Sequence, residues 1–197
     1  HPSATFSGHI QATSGDAFSM PMSDCPIARP ARILACMLAL ALTGCSGDQL
    51  QSSQPSFYRT MAQAGAQLDA AAASSMISEY RRNNGLGPVT VDPELTRLAE
   101  AQSRAMVAKD KLDHNVSGSL KDRIRKSGYD ARTAVENISA GYHTLAEAFS
   151  GWRDSPPHKA NMLNRNATRM GIAAIYSPNS KYKVFWTLIM AQPDTPS

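Results

Sequence analysis

Two runs near the C-terminal end, Met170 to Tyr176 and Tyr182 to Ala191, are dense in β-branched and aromatic residues and are separated by Ser177-Pro178-Asn179-Ser180. They predict an antiparallel hairpin, because a short polar link joins neighbouring strands head to tail. Most of what precedes them carries a helical period instead. A chain that spends its helices first and brings its strands together late does not follow the strand–helix alternation of a parallel, doubly wound sheet. It reads as α+β, with helices laid on a small, mainly antiparallel central sheet.

The helices follow from caps and spacing. Leu68, Ala72, Met76 and Tyr80 recur at helical intervals in an alanine-rich stretch from Ala64 to Asn83, which Asn84-Gly85 stops. Asp92-Pro93 is an N-cap followed by a first-turn proline, and Leu95, Leu98, Ala99, Gln102 and Met106 carry the apolar stripe of a second helix to about Lys111. A short helix from Leu120 to Ser127 ends at Gly128, and Thr144-Leu145-Ala146-Glu147 is a capping box that opens a helix bearing Phe149 and Trp152. Ser155-Pro156 caps a fifth helix with His158 in its first turn, and a further short strand is expected around Ala134 to Ile138, carrying Glu136. Tyr182, Phe185 and Trp186 on the last strand read as core.

The N-terminal part has a different character. Residues 1–21 begin with His1 and are rich in Ser, Gly, Ala and Thr without a sustained period, so they read as an upstream extension outside the natural protein, with Met20 or Met22 as the start. Arg29 and Arg32 then precede the uncharged run Ile33 to Leu42, which at ten residues is about half a bilayer span; residues 22–44 read as a signal peptide. Leu42-Thr43-Gly44-Cys45 resembles the lipobox of bacterial lipoproteins. On that reading Cys45 becomes the lipid-bearing first residue, 45–57 a lipidated tether with a Gln/Ser-rich spacer, and 58–197 a single folded domain. Cys25 and Cys36 lie on the discarded side, so the mature domain has no internal disulfide to form and must be held by its core.

The chain has a formal net charge of +4. Removal of residues 1–44 would take away two basic and two acidic residues, so the excess belongs to the domain and favours anionic lipid or cell-wall polymer. The local cluster Lys121, Arg123, Arg125 and Lys126 is interrupted by Asp122 and edged by Leu120 and Ile124, which reads as a solvated helix face; no nucleic-acid partner is expected.

The chemistry is concentrated in a constellation of His114, Glu136-Asn137-Ile138, then Trp152-Arg153-Asp154-Ser155-Pro156-Pro157-His158, with Met170-Gly171 beyond. Two histidines and a carboxylate are a minimal set for holding a divalent metal or moving protons, if the fold gathers them. Each also has a plainer reading. His114 lies in a polar trio with Asp113 and Asn115, as a surface histidine would. Glu136 is equally a buried structural carboxylate, and Asn137 reads as a backbone-pairing residue. His158 opens a helix, where the positive dipole end disfavours an imidazolium and leaves a neutral ring. His143 beside the Thr144 cap reads as a surface neighbour.

From Met76 to Gln192 these words resemble the CAP superfamily of cysteine-rich secretory proteins, antigen 5 and pathogenesis-related 1, in its compact bacterial SCP-like branch. The most specific stretch is W-x-x-S-P-x-H-x-x-N-x-L, Trp152 to Leu163, with Gly171 after it. The resemblance implies a three-layer α-β-α sandwich and a cavity lined by His114, Glu136 and His158. Many family members carry a second cavity glutamate three residues after the helix tryptophan; here that position is Ser155. The implied set is therefore His114 and His158 as metal ligands with Glu136 and Ser155 lining the cavity, Glu136 also being the candidate catalytic group.

Three functions compete. The first is an exported, lipid-anchored, monomeric binding module facing the periplasm or exterior, whose cavity takes a weakly bound zinc or magnesium and a hydrophobic or peptide-like ligand, from lipid or cell wall. The second is a metal-assisted hydrolase of cell-envelope material, with Glu136 as general base or third ligand. The third, a serine hydrolase built on Ser155 or Ser150, lacks a G-x-S-x-G elbow.

Overall fold

A computed structural model describes residues 54–194. The extension, the signal peptide, Cys45 and residues 46–53 of the tether lie outside the described residues. After a single 3-10 turn at Ser56–Tyr58, the elements are α1 (Ala70–Arg82), β1 (Thr90–Val91), α2 (Pro93–Lys109), α3 (Leu120–Ser127), β2 (Ala131–Ala140), α4 (Leu145–Asp154), α5 (Pro156–Met162), β3 (Arg169–Tyr176) and β4 (Val184–Pro193). The strand order is β1-β3-β4-β2, with β1 parallel to β3 and the other two pairings antiparallel. The expected hairpin is β3–β4, in register from Arg169↔Ala191 to Tyr176↔Val184.

The central strand β4 shows how the layers form. Val184, Trp186, Leu188 and Met190 point to one face and pack with Ala73 and Ile77 of α1, Ala148 and Trp152 of α4 and Met162 of α5. The alternate residues Phe185, Ile189 and Ala191 point to the other face, against Met106, Leu95, Leu98 and Ala99 of α2 and Ile124 of α3. A strand covered on both faces cannot alternate apolar with polar, and the run from Val184 to Ala191 is hydrophobic but for Thr187, whose buried hydroxyl pairs with Ser103 Oγ at 2.8 Å. Helices on both faces of a mixed sheet make the expected α-β-α sandwich. Gly171 lets α2 lie down on β3: a Cβ there would sit 2.1 Å from the Leu95 carbonyl carbon.

Local chemistry shifts one boundary. The first helix begins at Ala70, because Asp69 accepts a hydrogen bond from the Ala72 amide at 2.9 Å and caps it there, so Ala64 to Leu68 are not helical despite their apolar spacing. The caps at Asp92 and Thr144 are as expected, whereas Ser155, expected to cap the fifth helix, makes no side-chain cap bond. Asp92 Oδ1 accepts from the Glu94 and Leu95 amides, and Thr144 and Glu147 close a reciprocal capping box. Phe185 and Trp186 are fully buried, and Tyr182 is half-buried with its ring edge-on to Phe185. The two-residue strand β1 was not expected.

Candidate functional site

The site is assembled around β2, an outer strand of the sheet. Because Glu136 is opposite Ile189 in register, its side chain faces the α2/α3 layer; Asn137 is opposite Leu188 and faces the other way. On the Glu136 side, the segment after α2 brings in His114. Gln102 in α2 holds that segment by donating from Nε2 to the carbonyls of Asp113 (2.9 Å) and His114 (3.2 Å), while the Ser117 hydroxyl donates to Gln102 Oε1 at 2.6 Å. His114 Nδ1 then lies 2.8 Å from Glu136 Oε1. The carboxylate is 3% exposed and the imidazole 52%, so a buried anion orients a ring that reaches solvent.

Glu136 has a second partner that the sequence reading misplaced. Arg123, expected on a solvated helix face, is only 7% exposed and donates from Nη2 to Glu136 Oε2 at 2.7 Å. Its Nε donates to the Gly118 carbonyl at 3.1 Å. The physical reason is helical geometry: Arg123 falls three residues after Leu120 and one before Ile124, so it shares their inward face, and the stranded charge beside it draws the guanidinium in. Arg125, by contrast, is exposed and pairs with Asp122.

On the Asn137 side, α5 is pinned to the strand by a pair of asparagines. Asn137 Nδ2 donates to the His158 carbonyl at 3.0 Å; Asn161 Nδ2 donates to the Glu136 carbonyl at 3.0 Å and to Asn137 Oδ1 at 2.9 Å. The side chain of Asn137 is therefore a clamp on α5, a role beyond the backbone pairing expected of it. The clamp fixes the helix that carries His158. Ser155 occupies the N-cap position of α5 but makes no side-chain cap bond, and is half-buried. His143 is exposed and remote in role, its amide donating to Glu147.

The two imidazoles have opposite tendencies. The hydrogen bond that His114 donates to Glu136 holds its imidazolium to higher pH than an ordinary histidine, against a smaller effect of burial. Burial pushes His158 the other way, towards the neutral ring, and the positive charge of His114 adds to it. The neutral His158 expected from a helix dipole is thus favoured mainly by desolvation.

Glu136 is engaged through both oxygens and Ser155 carries no carboxylate, so of the expected set only the two imidazoles could ligate a divalent metal; the Nδ1 bond of His114 to Glu136 leaves Nε2 for that role. Among the described residues, no three His, Cys, Asp or Glu side chains are grouped so as to hold a metal ion. What remains is one free nitrogen on His114 and the ring of His158.

A separate apolar groove of about 850 Å³ runs between α1 and α4. Phe57, Met76, Tyr80 and Phe149 line it, with the Tyr80 and Phe149 rings edge-to-face at 5.5 Å and Arg82 and Arg153 at its rim. None of His114, Glu136 or His158 is among its lining residues.

An α-β-α sandwich carrying a His–Glu pair on an outer strand and a pinned helix with a second histidine defines a class of extracellular-type domain. The cysteine-rich secretory protein (CAP) family profile matches residues 75–190, and the chain belongs to that family. It is similar to the uncharacterized protein YkwD of Bacillus subtilis (strain 168), at 35% identity over 99 residues, which are 49% of this chain and 38% of that protein. Among solved structures it is similar to an extracellular protein containing a SCP domain from Bacillus anthracis str. Ames (TM-score 0.55, 23% identity, 62% of this chain and 39% of that one). It is also similar to an outer surface protein of Borrelia burgdorferi (TM-score 0.58, 19% identity, 64% and 93%). At those identities the structures speak for the fold. The matched part is less than two-fifths of YkwD.

Proposed function

We propose that the protein is an exported CAP module that acts by binding rather than by turnover, held at a membrane through lipid on Cys45, with the groove between α1 and α4 receiving a hydrophobic ligand. The observation that carries this reading is the separation of the two features an enzyme would need together. The apolar groove is lined by one set of residues and the histidine–glutamate pair belongs to another. Within the pair, Glu136 is bonded through both oxygens and only 3% exposed, which places it poorly to reach a bound substrate as a base. The groove offers a concave apolar wall with charge only at its rim, the usual make-up of a site for an apolar ligand. Anchoring is supported by the Leu42-Thr43-Gly44-Cys45 box and by the spacer between it and the first described residues. Among the described residues, no helix is long and apolar enough to cross a membrane.

The neutral dye 1-N-phenylnaphthylamine tests the groove. Its fluorescence should rise on mixing with the protein, and the rise should be lost in Met76→Glu, a half-buried groove residue, while His114→Ala keeps it. A dye response that survives Met76→Glu, or that vanishes in His114→Ala, removes the groove as the binding site. Turnover of cell-envelope material that is abolished by Glu136→Gln would favour the hydrolase instead. For the anchor, Cys45→Ser should move the protein from the membrane fraction to the soluble or unprocessed one.

A further inference from the structure

Strand β2 ends the sheet on one side, and only part of that side is sealed. The Gly141 amide donates to the Val184 carbonyl at 3.0 Å. Antiparallel residues alternate in the direction of their main-chain groups, so from Thr133 to Ala140 the odd-numbered residues face β4 and Ala134, Glu136, Ile138 and Ala140 face outward. The outward carbonyl of Glu136 is taken by Asn161 Nδ2, and Glu136 to Ser139 are buried. Ala131 to Val135 are half-buried or exposed, and a groove of about 870 Å³ runs past them. It straddles the edge: Leu120, Lys121, Ile124 and Arg125 of α3 wall it from one face of the sheet, and Asn164, just after α5, borders it from the other. We propose that this groove docks an extended acidic peptide of a partner protein, which adds a short strand to the sheet by pairing with the outward amide and carbonyl of Ala134.

The walls of the groove set the character of its occupant. Strand addition draws its affinity from main-chain hydrogen bonds and its specificity from pockets for alternate side chains, so the ligand is extended and brings free amides. The added strand is short, because Asn161 stops the open edge at Glu136 and the register shift between Ala131 and Thr133 interrupts it at the other end. Leu120, Ile124 and Tyr129 give one wall an apolar surface for a side chain of the peptide. Lys121, Arg125 and Arg132 border the groove, with Asp130 the only acid among the described residues that line it. Arg125 and Arg132 are paired with Asp122 and Asp194, at 2.8 Å and 2.7 Å, but these are exposed pairs of little strength in water, which carboxylates of a peptide can share or replace. A second copy of this chain is a poor occupant, since its own β2 edge would bring the same three cations face to face with these. The groove has no lining residue in common with the one between α1 and α4, so its ligand is independent of any bound there.

Fluorescence polarisation of a rhodamine-labelled peptide alternating aspartate and valine, titrated with the intact chain, is the test. Polarisation should rise with this peptide and stay flat with its counterpart alternating lysine and valine. It should also stay flat when the backbone amides of the aspartate peptide are N-methylated, which keeps the charge and removes the strand-pairing donors. Lys121→Glu combined with Arg125→Glu, both exposed positions, should weaken binding by roughly tenfold while the protein still melts cooperatively. Ala134→Pro removes the outward amide and leaves the bonds to β4 in place, as proline on a sheet edge does, and should abolish the rise. A flat trace with the aspartate peptide overturns the proposal. So does equal binding of the lysine peptide, and equal binding of the N-methylated one, which would show attraction to a basic surface without an added strand. Should Ala134→Pro fail to fold, the N-methylated peptide carries the same test on the parent.

Discussion

At the scale of single residues, the two histidines make a pair with a built-in order of titration. His114 gains a carboxylate partner, so its contribution to stability is full below the ordinary histidine range and is lost as pH rises through its raised folded value. His158 is depressed, so its contribution is present above the ordinary range and is lost as pH falls through its lowered value. In a nuclear magnetic resonance titration of the ring protons, His158 should therefore titrate at lower pH than His114. Glu136→Gln should move the His114 midpoint down, and His114→Ala should move the His158 midpoint up. Equal midpoints in the parent would mean that the Glu136 contact does not persist in solution. The pairing of a histidine with a glutamate across this constellation was within reach of the sequence. The part played by Arg123 was not, since four neighbouring basic residues look alike until the helix turns one of them inward. Its only signal was its place between Leu120 and Ile124.

At the scale of elements, Gly171 and Asn161 do different jobs of fitting. The Cβ of Gly171→Ala would meet backbone atoms of Leu95 and Thr96 within 2.4 Å, and backbone cannot rotate away as a side chain can. The α2 helix must lift off β3, and the cost should lie at or above the upper end of the roughly 1–3 kcal/mol typical of overpacking, read from chemical denaturation. Asn161→Ala should cost less in stability, about 1–3 kcal/mol for the buried partners it leaves unpaired, but should loosen α5. Amide hydrogen exchange from His158 to Met162 should quicken while that of β3 stays slow. Uniform protection across both variants would show that the asparagine clamp does not hold the helix. Sequence patterns located these elements well where a cap coincided with a period, as at Asp92 and Thr144. They overran where the period outlasted the cap: Ala64 and Leu68 continue the α1 spacing, yet Asp69 takes the first free amides and starts the helix after them. No pattern flags β1, because two residues carry no period and their pairing with β3 is a tertiary event.

At the scale of the whole molecule, the domain is held by its two cores and by buried polar ties rather than by covalent staples. Arg81 is the longest of these ties. From α1 it donates to the carbonyls of Gly87, Met162, Asn164 and Ala167 at 2.8–3.0 Å, joining the loop after α1 to the link between α5 and β3. No cysteine lies beyond Cys45, so the segment 54–197 should melt cooperatively with the same midpoint whether or not reductant is present. A segment that fails to melt cooperatively would mean that residues before 54 are needed for the fold. Arg81→Met should lower the midpoint of that segment more than any exposed arginine change, because four carbonyls lose their donor at once.

The central strand β4 is also the last of the described elements in chain order. It separates β2 from β3, which have no pairing with each other, and its alternate side chains complete the core on each face. Without β4 the described helices would lack both finished cores, β2 would be unpaired and β3 would be held only through the two residues of β1. The ten residues of β4 complete both layers at once, so a break anywhere along that one strand would cost the domain its two faces together.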